Sequence, residues 1–330
     1  MKILVIGGGG YVGSLLVERL LKQKYEVLVL DLFLYENPKF LFSDIINSQL
    51  LTIIKGDVRD KDLLDNIISS VNVVIHLACI SNDPSFDLNP KLGKSINYDC
   101  FYPLIKICKQ KCIDKFIYAS SSSVYGVKNV QNVTENLPLE PLTDYSKFKA
   151  LCEDILLNES GDRICSTILR PATVCGYSRR TRLDVIVNIL TNNAYNRRKF
   201  IIHGGSQKRP NIHIKDMVSA YLSVLTSEKK LVDGQIFNVG YENLSLIEIG
   251  NIVKEEVGKD VSIEFETTND DRSYHISSKK ILEKINFNPK FSIKDAISNL
   301  IEAFEANLLK NSLKDPKYFN IKTMQLLNLV

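Results

Sequence analysis

A tyrosine and a lysine stand four residues apart, at Tyr145 and Lys149, in a segment with the patterning of a helix. On a helix this spacing places both side chains on one face, about 6 Å apart along the axis. A nearby ammonium group lowers the pKa of a phenol, so Tyr145 could take the proton of a substrate hydroxyl while hydride leaves the same carbon. Such pairs also occur on ordinary helix surfaces, and only the position of this pair in the chain favours the chemical interpretation.

A run of four serines precedes the pair, at residues 120–123, directly after an apolar, strand-like segment. Open α/β sheets bind their ligands at the carboxyl ends of the strands. A serine hydroxyl at such a strand end can hydrogen-bond the oxygen from which Tyr145 removes a proton. The serines and the Tyr145/Lys149 pair together predict oxidation or reduction at a carbon that carries a hydroxyl group.

A glycine-rich loop at residues 7–13 joins the first predicted strand to the first predicted helix, with Gly7, Gly10 and Gly13 at three-residue intervals. Such a loop lets the backbone approach a ligand closely, and the helix N-terminus offers N–H groups to a pyrophosphate. Asp31 ends the next strand, where its carboxylate can accept hydrogen bonds from both ribose hydroxyls of NAD and would repel the 2′-phosphate of NADP. The pattern predicts NAD as the cofactor, and the positive ring of oxidised nicotinamide is expected to lower the pKa of Tyr145 together with Lys149.

Apolar segments alternate with helical segments through the first half of the chain. The predicted strands are Lys2–Ile6, Glu26–Asp31, Leu51–Lys55, Val73–Leu77, Lys115–Ser120 and Arg163–Arg170. Most of them are apolar on both faces, which is typical of a parallel sheet covered by helices on two sides. The helices predicted between them, such as Val12–Lys22 and Asp62–Ser69, are long enough for right-handed crossovers. We predict an α/β fold: a Rossmann-type doubly wound parallel sheet with a smaller C-terminal α/β domain that binds the substrate.

The alternation loosens beyond about residue 170. The elements predicted there are helices at Asp184–Asn196, Ile214–Ser227, Leu246–Val257 and Ile293–Leu308, and strands at Gln235–Val239 and Ser262–Glu266. We expect this region to pack on the first as a lid, with the chain crossing back at least once. We assign residues 1–170 and about 212–240 to the cofactor-binding domain, and residues 171–211 and 241–330 to the substrate-binding domain.

The composition of the 330 residues excludes several classes of protein. With 42 basic and 38 acidic residues, the net charge of +4 is too balanced for a dedicated nucleic-acid binder. No apolar stretch approaches the roughly 20 residues of a membrane helix, and the apolar run after Met1 is too short for a signal peptide. The seven cysteines lie mostly in apolar segments and lack zinc-site spacing. We expect a cytoplasmic protein with reduced thiols and without a metal, membrane or nucleic-acid partner.

Taken together, these motifs resemble those of extended short-chain dehydrogenases/reductases of the NAD-dependent sugar-nucleotide epimerase/dehydratase family. The segments that carry the resemblance are Gly7–Gly13, Asp31, Asp57, His76–Ala78, Ser121–Gly126, Tyr145-x-x-x-Lys149 and Arg170-Pro171. The resemblance implies that Tyr145 is the base, that Lys149 binds the cofactor ribose and activates the tyrosine, and that Ser121 relays a proton. It also implies a nucleotide-sugar substrate and a homodimer formed through the Tyr145 helix and the helix around residues 97–110.

The resemblance also implies which residues contact the two ligands. The expected cofactor-binding residues are Gly7, Gly10, Tyr11, Val12, Gly13, Asp31, Asp57, Val58, Leu77, Ala78, Asn97, Ser120, Tyr145, Lys149 and Pro171. The expected substrate-binding residues are Ser121, Ser122, Thr173, Arg182, Arg209 and Arg272.

Arginines dominate the expected substrate contacts. Arg209 and Arg272 match arginines with which family members hold a nucleoside diphosphate, a ligand that suits the paired donors of a guanidinium group. Arg182 forms a cluster with Arg179 and Arg180 that could meet the substrate phosphates or line the surface. Thr173 stands where related epimerases have a substrate-contacting asparagine.

The resemblance also bears on the reaction. Family dehydratases have Thr-Asp-Glu where this chain has three serines, Ser121–Ser123. Because elimination needs its own acid and base, we expect no 4,6-dehydratase activity. What remains is reversible hydride transfer at a sugar carbon, expected to be C4, and we predict a nucleotide-diphosphate-sugar epimerase.

Two alternatives stay open. Residues 178–188 resemble a subgroup that includes capsular GDP-heptose oxidoreductases, so a one-way 4-dehydrogenase or 4-ketoreductase of a nucleotide hexose or heptose is the first. The second is a non-enzymatic NAD-binding protein, although such proteins typically lack the pair that Tyr145 and Lys149 form here.

Overall fold

The structure, a computed structural model, describes residues 1–128, 130, 132–161, 163–268 and 275–329. The strands of this part are β1 (Lys2–Ile6), β2 (Glu26–Asp31), β3 (Leu51–Lys55), β4 (Val73–His76), β5 (Lys115–Ala119), β6 (Cys165–Pro171), β7 (Thr173–Cys175), β8 (Lys199–His203), β9 (Lys208–His213), β10 (Gln235–Val239), β11 (Glu242–Ser245) and β12 (Ser262–Glu266). Its α-helices are α1 (Tyr11–Lys22), α2 (Pro38–Leu41), α3 (Lys61–Ile68), α4 (Asp83–Leu88), α5 (Pro90–Lys94), α6 (Phe101–Gln110), α7 (Asp144–Ser160), α8 (Ile186–Arg197), α9 (Ile214–Thr226), α10 (Lys229–Val232), α11 (Leu246–Val257), α12 (Lys279–Ile285), α13 (Ile293–Glu305) and α14 (Asn320–Leu326). A π-helical turn spans Ser95–Asp99, and short 3₁₀ helices span Ser122–Tyr125 and Pro316–Tyr318.

Seven parallel strands form the central sheet in the order β10-β6-β5-β4-β1-β2-β3. The strand order reverses between β1 and β4, and the crevice at such a reversal is where doubly wound sheets bind ligands. The predicted doubly wound α/β fold is therefore confirmed. β10 joins the edge strand β6, so the chain returns to the central sheet late in the sequence, as expected. The predicted domain boundaries stay a prediction.

Helices cover the central sheet on both faces. Because side chains alternate along a strand, Ile3 and Val5 of β1 pack with α1 and α9. Leu4 and Ile6 point the other way and pack with α3, α6 and α7. This arrangement explains why the strands are apolar on both faces.

A second region is built on two small sheets. β9 lies between β11, its antiparallel partner, and β7, its parallel partner, and β8 pairs with β12. These sheets enclose a separate core with α8, α11 and α13, in which Val187, Phe200, Ile249 and Ile297 are buried. Of the five strands in these sheets, only β12 was predicted from the sequence; β7, β8, β9 and β11 were not.

The C-terminal segment runs back to the first half of the chain. Met324 of α14 is buried in the core on the α3, α6 and α7 side of the sheet, α14 contacts α4, and Lys317 pairs with Glu36 at 2.9 Å. Asn320, at the start of α14, reaches the edge of the crevice.

In the part of the chain that the structure describes, no helix combines the length and the apolar character that crossing a bilayer requires.

Candidate active site

A cleft of about 490 Å³ opens at the carboxyl ends of the central strands. The predicted site residues that line it are Gly7, Gly10, Tyr11, Val12, Gly13, Asp31, Asp57, Val58, Leu77, Ala78, Ser120, Ser121, Ser122, Tyr145, Lys149, Pro171, Thr173, Arg182 and Arg209. Asn97 is not part of this lining, and Arg272 lies outside the described residues. The fold thus brings nineteen of the residues singled out in the sequence to one place.

The glycine loop forms the floor of the cleft at the start of α1. Gly7 has a φ of +87°, and a Cβ atom there would lie 2.5 Å from the backbone nitrogen of Ala78. A Cβ atom on Gly13 would collide with the Gly7 carbonyl oxygen. No side chain caps α1 at Gly10, and its first turn holds no acidic residue. The free N–H groups and the positive end of the helix dipole therefore face the cleft, as a pyrophosphate requires.

Asp31 lies beside this loop at the end of β2. Its carboxylate accepts hydrogen bonds from the backbone N–H groups of Gly9 at 2.9 Å and Phe33 at 2.7 Å. Burial raises the pKa of Asp31, while these two bonds and the nearby Arg180 lower it. The carboxylate holds the loop in shape and borders the cleft where a ribose can reach it.

Asp57, after β3, is held by a neighbouring arginine. Arg59 donates from Nη2 to the Oδ2 atom of Asp57 at 2.6 Å and from Nε to its Oδ1 atom at 3.0 Å. These bonds lower the pKa of Asp57, which keeps the carboxylate ionised at the edge of the cleft.

Helix α7 brings Tyr145 and Lys149 to the serines after β5. A capping box of Thr143 and Ser146 begins the helix, so Tyr145 lies in its first turn. Lys149 is buried, and its Nζ atom donates to the Ala119 carbonyl at 2.6 Å and lies 5.9 Å from the centre of the Tyr145 ring. Ser121 shares a 2.8 Å hydrogen bond with Ser123. The phenol, the ammonium group and the serine hydroxyls therefore meet at one wall of the cleft.

Burial dominates the pKa of Tyr145 in this structure. Burial raises it well above its ordinary value, and Cys79 and Asp83 raise it further. Arg182 and a hydrogen bond from Ser121 lower the pKa but do not offset the burial. Without the cofactor, loss of water around the phenol thus outweighs the nearby positive charges. The lowering expected with oxidised nicotinamide beside the ring stays a prediction.

Behind the serines lies a buried polar network that the sequence analysis missed. The Ser120 hydroxyl donates to Glu153, which accepts from the Nε atom of Arg170 at 3.0 Å. Arg170 also donates to the Tyr125 hydroxyl at 2.7 Å, and Tyr125 donates to Asn238 at 2.7 Å. The network ties α7 to β5, β6 and β10. The Ser120 hydroxyl donates its proton here and keeps only acceptor capacity, and its expected cofactor contact stays a prediction.

Asn97 acts on the cleft from behind. Its side chain accepts from the Ile80 N–H at 2.8 Å and donates to the Ile80 carbonyl at 3.0 Å. This pair of bonds fixes the loop after β4, whose residues 77–83 line the cleft. Asn97 thus positions the loop; a direct cofactor contact by this residue stays a prediction.

The arginine cluster divides between the surface and the cleft. Arg179 donates to Ser43 at 2.8 Å and pairs with Asp44 on the surface. Arg182 lines the cleft, where it pairs with Asp184 at 2.8 Å and donates to Ser81 at 3.1 Å. Arg180 also lines the cleft. Of the two open possibilities, the surface position therefore holds for Arg179 alone.

Comparison with known proteins agrees with this geometry. A profile of the NAD dependent epimerase/dehydratase family matches residues 3–240. The chain belongs to this family. NAD is therefore its cofactor, and the bare N-terminus of α1 and the carboxylate of Asp31 fit this molecule.

Named members of the epimerase/dehydratase family include enzymes of both kinds. The chain is 28% identical over 270 residues to a UDP-glucose 4-epimerase of Lactobacillus helveticus, covering 75% of this chain and 80% of the relative. It is 26% identical to a human dTDP-D-glucose 4,6-dehydratase, covering 93% of this chain and 90% of the relative. Similarity alone therefore does not separate the two reactions.

A solved structure of the family shows the same fold. The UDP-glucuronic acid 4-epimerase of Bacillus cereus, in complex with UDP-glucuronic acid and NAD, has a TM-score of 0.84 and 27% sequence identity. The match covers 93% of this chain and 100% of that one.

Proposed function

We propose that the protein is an epimerase that inverts a nucleoside-diphosphate sugar at C4 by transient oxidation, with Tyr145 as the base. The observation that carries this proposal is the position of Tyr145, held beside Ser121 and Lys149 at the carboxyl ends of β4 and β5. UDP-sugar 4-epimerases among the relatives support it.

The residues of the cleft divide the work as follows. NAD, when bound, supplies the acceptor and donor of hydride. Tyr145 takes the proton of the sugar hydroxyl and returns it after the sugar has turned over. Ser121 hydrogen-bonds the same hydroxyl, and the positive charge of Arg182 favours the phenolate. Lys149, whose Nζ atom lies 5.9 Å from the centre of the Tyr145 ring, brings a second positive charge to the site. The Ala119 carbonyl holds the Lys149 ammonium group in place.

We assign the substrate's diphosphate to the arginines of the second region. Arg209 is the second residue of β9 and lines the cleft together with Thr173 and Arg182. A guanidinium group can donate two parallel hydrogen bonds to phosphate oxygens. Arg272 is assigned here from its sequence context only.

Elimination is disfavoured by the side chains available in the cleft. Ser122 and Ser123, both cleft-lining, stand where family dehydratases carry an acid and a base. The Ser123 hydroxyl is already engaged with Ser121 at 2.8 Å. Neither hydroxyl can take over the proton transfers of a carboxyl pair, since its pKa is far from neutral.

The proposal is tested by mixing the purified protein and NAD with UDP-, GDP-, CDP- and dTDP-sugars. Near-ultraviolet absorbance reports NADH, and the sugars are then resolved by chromatography. An epimer formed without accumulating NADH is the expected result. Stoichiometric NADH with a keto-sugar product would instead establish the one-way dehydrogenase, and a 4-keto-6-deoxy product would establish a dehydratase.

We also propose that two copies pair through α6 and α7. These helices lie side by side, and Tyr102 and Leu151 expose 40% and 42% of their surface. Light scattering of the purified protein should give twice the mass of the chain, and Leu151→Glu should reduce it to that of one chain. A monomeric wild-type protein would contradict this proposal.

A further inference from the structure

Arg180 is a buried arginine whose role neither the fold nor the proposed reaction explains. Only 4% of its surface is exposed, although it lines the cleft. Its guanidinium group lies over the Tyr35 ring, 3.9 Å from the ring centre, and donates to the side chain of Asn320. Within the described residues, its Nε atom has no hydrogen-bond partner and no carboxylate forms a salt bridge with it.

This arrangement is costly without a ligand. A buried cation needs an anion or a full set of hydrogen bonds to offset its lost hydration. Burial lowers the pKa of Arg180 to about 10, so it remains charged at neutral pH. Two carboxylates act on it through space: Asp184 is already paired with Arg182, and Asp31 accepts from the Gly9 and Phe33 N–H groups. The vacant donor therefore indicates an anionic group in the cleft.

The neighbours of Arg180 locate that group above the end of β1. Tyr35 follows β2, whereas Asn320 donates to Ser81, which follows β4, at 2.9 Å. β1 lies between β2 and β4 in the sheet. Arg180 therefore stands over the N-terminus of α1.

The backbone around Arg180 is fastened to that same helix terminus. The Tyr11 hydroxyl donates to the Gly176 carbonyl and accepts from Asn188 at 3.0 Å. The Ser178 hydroxyl donates to the Tyr11 carbonyl at 3.0 Å. Residues 176–182 thus form a strap (the arginine strap) that is anchored at the first residue of α1.

We propose that Arg180 is a ligand of the NAD pyrophosphate, so that the arginine strap and the N-terminus of α1 hold the diphosphate from opposite sides. In a doubly wound sheet the two halves of a dinucleotide lie on either side of the central strand, and the diphosphate crosses its end. Asp31 disfavours a 2′-phosphate at this place. The proposal rests on NAD binding and does not depend on which sugar reaction follows.

The test measures the affinity of the nucleotide-free protein for NAD, ADP, adenosine and UDP by calorimetry. Ligands too weak for direct titration are measured by their displacement of bound NAD. A charge-assisted hydrogen bond contributes enough that Arg180→Met should weaken NAD and ADP about 10- to 100-fold. Adenosine and UDP should bind as before, because neither carries the cofactor diphosphate. Arg180→Lys should lose less affinity for NAD and ADP than Arg180→Met, because lysine keeps the positive charge but lacks the planar set of donors.

The matched control is Arg179→Met, which removes the neighbouring guanidinium group from its surface pair with Asp44 and should leave all four affinities unchanged. Equal weakening of adenosine and ADP by Arg180→Met would show general damage to the site and overturn the proposal. Weakening of UDP alone would assign Arg180 to the substrate and also overturn it.

If Arg180→Met does not fold, Asn320→Ala provides the test, because it removes the hydrogen bond that holds the guanidinium group. The affinity for NAD and ADP should then fall roughly three- to tenfold, and the affinity for adenosine should stay the same. Unchanged affinity for NAD in this variant would overturn the proposal.

Discussion

Glu153 of α7 and Arg170 of β6 form an ion pair behind the cleft, and neither side chain is more than 3% exposed. Through Ser120, the same carboxylate holds the end of β5. The pair therefore connects the helix that carries Tyr145 and Lys149 to the strand end that carries the serines. It thus links the position of the phenol to that of the serine hydroxyls.

Glu153→Gln should destabilise the protein strongly. The change leaves the Arg170 charge buried without its partner, which costs about 3–5 kcal/mol. Urea denaturation should show the loss in the free energy of unfolding. The control Asp99→Asn breaks the exposed pair with Lys94, 2.8 Å long, and should cost less than about 1 kcal/mol. Equal stability of the two variants would contradict the role of the buried pair.

Tyr145→Phe should retain NAD binding and lose turnover. The ring still fills its place, but the proton acceptor is gone, and general base catalysis contributes about 10²- to 10⁴-fold. Calorimetry with NAD and turnover of the sugar identified in the panel measure the two effects. Tyr241→Phe, which removes the hydroxyl of a tyrosine that is 46% exposed and does not line the cleft, is the control and should change neither. Full turnover by Tyr145→Phe would remove this residue from the mechanism.

Asp31→Asn should reduce the preference for NAD over NADP. A charged acceptor of ribose hydrogen bonds contributes about 1.5–3 kcal/mol, so NAD should bind about 10- to 100-fold more weakly. The affinity for NADP should fall less than the affinity for NAD, because the change also removes the repulsion between Asp31 and the 2′-phosphate. The ratio of the two dissociation constants is the measurement. Asp44→Asn is the control, and an unchanged ratio in Asp31→Asn would contradict the assignment.

His76 should make the protein less stable in mild acid. Burial lowers its pKa to about 3 in the folded state, from 6.5. Between these values the unfolded chain binds a proton that the folded protein does not, so the stabilisation present above pH 6.5 is lost as the pH falls. From pH 7 to pH 5 the loss is about 2 kcal/mol.

Urea denaturation at both pH values measures this effect. His76→Leu should show a decrease between pH 7 and pH 5 that is about 2 kcal/mol smaller than in the wild type. His203→Gln replaces a histidine that is 62% exposed and should retain the wild-type decrease. If the free energy of unfolding decreased equally in His76→Leu and in the wild type, His76 would not be kept neutral by burial. His213, whose pKa burial lowers to about 4, acts in the same direction in all three proteins.

The central sheet was predictable because its signals are local. Ile3, Leu4, Val5 and Ile6 are apolar in succession, and only a strand covered on two sides buries all four. β9 carries no such signal, since Pro210 interrupts a charged and polar run; its pairing with β11 and β7 makes it a strand. Tertiary context decided these short strands.

The same distinction applies to the site. The glycine loop, Asp31 and the Tyr145/Lys149 pair are spaced by the geometry of a turn, a strand and a helix, so their roles could be inferred from spacing. Glu153 could have been inferred only weakly from the sequence. It lies four residues after Lys149, about one helical turn, and therefore on the same face of the helix. Asn320 left none, because it contacts Ser81 across 239 residues.

That long separation has a consequence for biosynthesis. Domains form during translation from the N-terminal side. The central sheet is complete once β10 has emerged from the ribosome, whereas Asn320 follows some eighty residues later. Newly made chains therefore pass through a stage in which every strand of the sheet has been synthesised but Arg180 has no amide to orient it, so the cleft is completed only after the C-terminal segment has docked.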